Sequence, residues 1–132
     1  MSVFRKFKTS AKHETEGVWL DYGEAGRVRI ARAGGANKAY LRAMERLQRK
    51  YRQQLAMGIL GDEVSERVMR EVMVDSLVTK WELVGDDGPI PGDRQSMLET
   101  LEKLPELFRD MLAQAQNVAL FREHLDEEDA GN

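Results

Sequence analysis

The sequence predicts a mainly α protein with a small N-terminal β-hairpin (α+β), folded as a single compact helical domain. Two observations support this fold class. From residue 37 onward, apolar residues recur at spacings of three and four, as they do along one face of a helix. Strict alternation of apolar and polar residues is confined to the segment 15–32, where Gly23 and Gly26 suit a turn between two strands. The length of 132 residues fits one domain.

Within the predicted hairpin, the alternation places four aliphatic side chains on one face: Val18, Leu20, Val28 and Ile30. Trp19 belongs to the opposite face, beside Arg27 or Arg29, because successive side chains of a strand point to opposite sides. A two-stranded ribbon alone is marginally stable in water. We therefore expect the hairpin to lie on the helices or to pair with another chain.

The predicted helices are bounded by capping and breaking residues. Asn37 and Asp93 suit helix N-caps, and Pro105 suits a first helical position. The glycine- and proline-rich residues 85–92 form a bend, and Trp81, which ends the preceding helix, is expected to lie mostly buried beneath it. The helices are expected at about 37–57, 62–81, 93–103 and 105–124.

The ends of the chain are assigned from composition. Residues 1–13 are predicted to be a flexible basic arm, and residues 126–132 a disordered acidic tail. A single helical domain between them covers residues 14–125.

The net charge of −3 conceals an asymmetry between the two halves of the chain. Residues 1–60 hold 13 Lys/Arg and five Asp/Glu, a net charge of +8, whereas residues 61–132 hold seven and 18, a net charge of −11. The favoured interpretation is that the halves pair within one molecule and leave solvated faces. The alternative is that the front of one molecule meets the back of another, giving a homo-oligomer.

Composition and spacing favour a protein without a catalytic, cofactor or metal site. Cysteine is absent, which excludes a disulfide or a thiol nucleophile and fits a reducing cytosol. The two histidines, His13 and His124, lack the spacing of a metal or catalytic motif. No apolar run approaches the roughly 20 residues of a membrane helix. We expect a protein that is not an enzyme and has no membrane partner.

The basic helix at residues 38–52 is the clearest candidate for partner binding, with a net charge of +5. Nucleic acid is one possible partner, but the rest of the domain is acidic and no turn-plus-recognition-helix pattern is present. A solvated face or a dock for an acidic partner is favoured instead. The candidate binding residues are Arg42, Arg46, Arg49 and Lys50, together with Trp19 of the hairpin.

An ordered set of short motifs gives the chain a family resemblance over about residues 15–125. These motifs are the strand pair ending at 28–32, Asn-Lys-Ala-Tyr at 37–40, Trp-Glu-Leu-Val at 81–84, Asp-Asp-Gly-Pro-Ile-Pro at 86–91, Leu-Pro-Glu-Leu-Phe at 104–108, Ala-Gln-Asn at 115–117, and Phe121. The chain resembles the tail assembly chaperones of long-tailed, siphovirus-type bacteriophages. These families usually carry Pro-Phe-Ser after the turn, where this chain has Gly92 and Asp93.

The resemblance implies a phage or prophage protein of virion morphogenesis that acts without catalysis. Such a chaperone binds the tape measure protein, keeps it soluble and helps recruit tail tube subunits, mainly through a frameshifted long form. The chain would be the short form, located in the host bacterial cytoplasm and absent from the mature virion. Two alternatives stay open: a nucleic-acid-binding regulator that uses the basic helix 38–52, and a structural tail component.

Overall fold

The computed structural model describes residues 2–125 and contains a small antiparallel sheet among helices. The helices are α1 (Val3–Phe7), α2 (Ala11–Glu16), α3 (Lys38–Lys50), α4 (Arg52–Met57), α5 (Asp62–Val72), α6 (Arg94–Lys103) and α7 (Pro105–Gln116). The strands are β1 (Val18–Asp21), β2 (Gly26–Ile30), β3 (Val78–Gly85) and β4 (Gly88–Pro89), and they lie in the sheet in this order. The predicted α+β class is confirmed.

The core lies between the inner face of the sheet and helices α5 to α7. Val28 and Ile30 of β2 are fully buried there. The helices and the segments next to them contribute the other buried side chains of this cluster, which are Met73, Val74, Leu77, Met97, Leu101, Phe108, Met111, Ala115 and Phe121. Burial of such apolar side chains stabilises the fold by roughly 1.5–3 kcal/mol each.

The register predicted for the hairpin is confirmed. Val18 lies opposite Ile30, and Leu20 lies opposite Val28, so the aliphatic residues share the inner face. Trp19 lies on the outer face and is 36% exposed. The hairpin does not stand alone, because β3 pairs with the other side of β2.

The helix predicted over 62–81 is wrong in its last part. The α-helix ends at Val72, a π-helical turn covers Met73–Leu77, and the chain is a strand from Val78 onward. Residues 78–84 are rich in β-branched and aromatic side chains, and pairing with β2 satisfies their backbone groups. Trp81 therefore lies in β3 opposite Val28 rather than at the end of a helix, and its ring is mostly buried against the core, as expected.

The N-terminal residues also differ from the expected flexible arm. They contain α1 and α2, whose first turns are capped by the side chains of Ser2 and Ser10. Backbone hydrogen bonds attach this segment to the other end of the described chain: Ser10 N donates to Phe121 O at 2.7 Å, and Glu123 N donates to Lys8 O at 2.8 Å. Paired backbone groups of this kind hold a terminus that composition alone suggests is free.

Two other predicted helices are shorter than expected. The helix at 37–57 is divided at Tyr51, and the helix at 105–124 ends at Gln116 before a 3₁₀ turn at Val118–Phe121. The acidic tail predicted at 126–132 lies outside the described residues.

A buried polar junction connects α2, β2 and α3. The carboxylate of Glu14, which is 4% exposed, forms an ion pair with Arg32 just after β2. Asn37, 5% exposed, caps α3 by accepting from Tyr40 N and also donates to two main-chain carbonyls. This junction fixes where α3 leaves the body of the protein.

Candidate functional site

The basic segment, residues 38–59, comprises α3, α4 and the two residues after them. Its first part packs on the body: Ala43 is buried, and Leu47 and Tyr51 line a groove against Val68 and Val72 of α5. Beyond Tyr51 the packing ends, since every residue from 52 to 59 is exposed. The second part of the basic segment therefore projects from the fold.

The four cationic candidates lie on the exposed side of α3. None of them forms a salt bridge with any residue in the 2–125 range, although Glu71 and Asp75 line the same groove as Arg46 and Lys50. The pairing expected between this helix and the acidic half of the chain is thus not found within the described residues. Arg42, Arg46, Arg49 and Lys50 remain available to a partner.

Apolar side chains accompany these cations on the basic segment. Leu55 is 44% exposed, Met57 69% and Ile59 63%. A helix with exposed apolar and cationic side chains can pack against the apolar stripe of another helix while it pairs with carboxylates beside that stripe. No sequence signal had distinguished Leu55, Met57 and Ile59 from core residues.

The acidic half of the chain is partly neutralised by its own cations. Arg109 forms salt bridges with Glu66 at 3.4 Å and with Glu106 at 2.6 Å, and Arg94 pairs with Asp75 at 2.8 Å. Hydrogen bonding to these carboxylates raises the pKa of Arg94 and of Arg109. These pairs neutralise only part of this half, because residues 61–125 hold 14 Asp/Glu against seven Lys/Arg.

The fifth candidate, Trp19, belongs to a different surface. The guanidinium of Arg27 lies over its indole ring at 3.7 Å from the centroid and also pairs with Glu82 at 3.0 Å. Trp19 lines a groove with Arg29 and Arg122 rather than with the cations of the basic segment. Sequence analysis did not single out Arg122, because its approach to Trp19 depends on contacts between distant parts of the chain.

The shifted side-chain pKa values belong to structural contacts. Burial raises the pKa of Tyr22, and its hydrogen bond to Asp110 raises it further. A hydrogen bond from Ser96 lowers the pKa of Asp93 at the cap of α6. Among residues 2–125, no group of three or more potential metal-binding side chains comes together.

No helix in the described part of the chain has the length and apolar character needed to cross a membrane.

Comparison with known proteins places the chain in a family. Residues 35–132 match the family model described as YdaY prophage protein. The chain belongs to this prophage family. The matched region contains the whole basic segment and all elements from α3 onward, whereas Trp19 and the hairpin precede it. No curated protein and no solved structure matches the chain.

Proposed function

We propose that this prophage protein is a tail assembly chaperone that binds the tape measure protein. In this role it keeps the tape measure protein soluble in the host cytoplasm and helps recruit tail tube subunits, without catalysing a reaction. The observation that carries the proposal is the projecting second part of the basic segment, residues 52–59, in which every residue is exposed. Membership of a prophage family and the ordered motifs shared with tail chaperones support the same role.

The chemistry of the proposed partner follows from the basic segment. A tape measure protein is mostly long amphipathic helix, whose apolar stripe is insoluble unless it is covered. Leu55, Met57 and Ile59 can cover such a stripe, while Arg49 and Arg52 pair with carboxylates at its edge. Because the exposed apolar residues lie beyond the packed part of α3, a partner reaches them without unfolding the domain.

Co-expression tests the proposal. The chain is produced with the product of a neighbouring, very long and helix-rich reading frame, and the soluble fraction and co-purification of that product are measured. We expect wild type to raise its solubility and the double variant Leu55→Asp/Met57→Asp to lose this effect. Leu104→Asp is the matched control, since Leu104 is 51% exposed at the start of α7 and is not part of the basic segment. Equal solubility with and without the chain contradicts the proposal.

The unpaired cations of α3 favour one second candidate, a nucleic-acid-binding regulator. Phosphate binding depends on Arg42, Arg46, Arg49 and Lys50 but not on Leu55 or Met57. A regulator would be retained on DNA, and its retention would fall steeply as the salt concentration rises. Leu55→Asp/Met57→Asp would leave this retention unchanged, and replacing the arginines by glutamate would abolish it. Presence of the chain in purified virions identifies the structural tail component instead.

A further inference from the structure

We propose that the groove beside β1 binds an extended acidic peptide segment of a partner protein, which adds to the sheet as a fifth strand. The groove lies outside the basic segment, and its lining combines residues of α2, β1 and β2 with Leu120, Arg122 and Leu125 from the region that matches the family model. The inference is therefore independent of the proposed chaperone function.

The first observation is the free edge of the sheet. β1 is an edge strand that pairs only with β2, and no other backbone hydrogen bond involves Val18–Asp21 within the described residues. In an antiparallel pair, alternate residues of an edge strand direct their N–H and C=O groups outward. Natural edge strands are often blocked by proline or lysine, but β1 has the sequence Val-Trp-Leu-Asp.

The second observation is the charge of the groove. Arg29 and Arg122 line it, and no carboxylate does so among the described residues. Arg29 uses its Nε to donate to Gly17 O at 3.2 Å, and Arg122 lies over the Phe7 ring at 4.9 Å, but neither forms a salt bridge in the described chain. The terminal guanidinium nitrogens of both arginines can bind carboxylates in the bidentate geometry that Arg favours.

The third observation is the shape and apolar lining of the groove. Its volume is about 410 Å³, within the usual range of ligand sites, and Val18, Leu120 and Leu125 contribute apolar walls. The Arg27 guanidinium holds the Trp19 ring in place at the outer face of β1. A strand added here would place alternate side chains against the arginines and against the apolar wall, so alternating acidic and aliphatic residues fit best.

The probe is a heptapeptide of alternating aspartate and valine, acetylated and amidated at its ends. Affinity is measured by titration calorimetry at low salt, and the contact site by amide chemical shifts of the labelled protein. We expect the largest shifts at Val18–Asp21. Replacing aspartate by lysine in the peptide should abolish binding, and methylating the amides of one alternate set of its residues should weaken binding at least tenfold.

Protein variants separate the arginines from general charge effects. Arg29→Gln and Arg122→Gln should each weaken binding about tenfold, as loss of a charge-assisted hydrogen bond does, and Arg122→Lys should partly restore it. Arg52→Gln in the basic segment is the matched control and should not change the affinity. The amide chemical shifts of the wild-type protein locate the binding site without any variant. The test therefore does not depend on whether every variant folds.

Four outcomes overturn the inference. In the first, the lysine peptide binds as well as the aspartate peptide. In the second, N-methylation lowers the affinity at neither alternate set of peptide residues, and in the third, the chemical-shift changes map to residues 38–59. A single-stranded oligodeoxynucleotide that shifts the Trp19 signals when the peptide does not also overturns it, because the groove is then a nucleic-acid surface. Loss of tape measure solubilisation in the co-expression experiment leaves the peptide result unaffected.

Discussion

The side-chain amide of Asn37 donates a hydrogen bond to the main-chain carbonyl of Ser76 at 3.0 Å, which joins the start of α3 to the π-helical turn. The same amide donates to Arg32 O at 2.9 Å, and its oxygen accepts from Tyr40 N. One buried side chain therefore caps a helix and satisfies two carbonyls. The orientation of the basic segment depends on it.

Asn37→Ala should lower the free energy of unfolding by about 2–4 kcal/mol, because it removes a helix cap and leaves two buried carbonyls without a donor. Asn117→Ala is the control, since Asn117 is exposed and only caps a 3₁₀ turn. Denaturant unfolding of both variants measures the difference. Equal losses would show that the bonds from Asn37 to Arg32 and Ser76 do not contribute.

Gly35→Ala should destabilise the protein more than Gly58→Ala. Both glycines have positive φ, at +55° and +67°, so alanine strains each backbone by roughly 1–2 kcal/mol. At position 35, however, the new β-carbon would overlap Glu14 Oε2 and displace the buried ion pair, whereas at position 58 no atom of the described residues lies within 4 Å of it. Thermal melting compares the two variants. A similar melting temperature for both would mean that the Glu14–Arg32 pair moves aside freely.

Trp81→Phe should cost little stability, because the indole Nε1 is buried without a hydrogen-bond partner among the described residues. Phenylalanine removes this unsatisfied donor, and the resulting gain in stability offsets part of the stability lost because the smaller ring makes fewer packing contacts. Trp81→Ala should cost about 3–5 kcal/mol, the usual range for removal of a large aromatic side chain, since most of Trp81 is buried against the core. Chemical denaturation measures both changes. A cost for Trp81→Phe close to that for Trp81→Ala would reveal a bond to the indole nitrogen.

Tyr22 should make stability depend on alkaline pH. The Tyr22 hydroxyl donates to Asp110 Oδ2 at 2.7 Å, and burial with this bond raises the pKa of Tyr22 in the folded state. The folded state then keeps its proton after the unfolded chain loses it near pH 10, so stability is full below about pH 10 and falls as pH rises toward the folded pKa.

Comparison with Tyr22→Phe isolates this effect. At neutral pH the variant should be less stable by about 1 kcal/mol, the usual net worth of a hydrogen bond. Between pH 9 and pH 11 the difference between wild type and variant should shrink, as measured by urea unfolding at each pH. A constant difference across this range would contradict the raised pKa.

The triple variant Arg42→Glu/Arg46→Glu/Arg49→Glu should fold with a melting temperature close to that of wild type. These arginines are exposed and have no salt bridge in the described chain, and changes of exposed charge cost little stability. If wild type self-associates through the basic segment, sedimentation velocity should show oligomers at low salt that the variant lacks. They should weaken as the screening length falls from about 10 Å at 0.1 M salt to about 3 Å at 1 M. Unfolding of the variant would instead show that the arginines pair within one molecule.

The parts of the fold that the sequence predicted correctly depend on local patterns. Alternation fixed the register of Val18 and Ile30, and cap chemistry located Asn37 and Asp93. The misassigned residues 78–81 depend on a distant partner. Their apolar pattern suits either a helix or a strand, and only pairing with β2 decides between them.

The candidate surfaces were predictable to different degrees. The cations of α3 could be predicted from their charge and from the helical spacing of the apolar residues around them. The exposure of Leu55 and Met57 could not, because it depends on where α5 stops covering the helix. The groove at Trp19 also escaped prediction, since it requires Arg122 to lie beside a strand about a hundred residues earlier in the sequence.

The separation of the projecting residues 52–59 from the core has an evolutionary consequence. Because these residues are all exposed, substitutions among them, apart from Gly58, should cost little folding stability. A mutational path that changes which partner the protein accepts need not pass through an unstable intermediate. Under the proposed function, this segment can adapt to a new partner while the sheet and its helices stay the same.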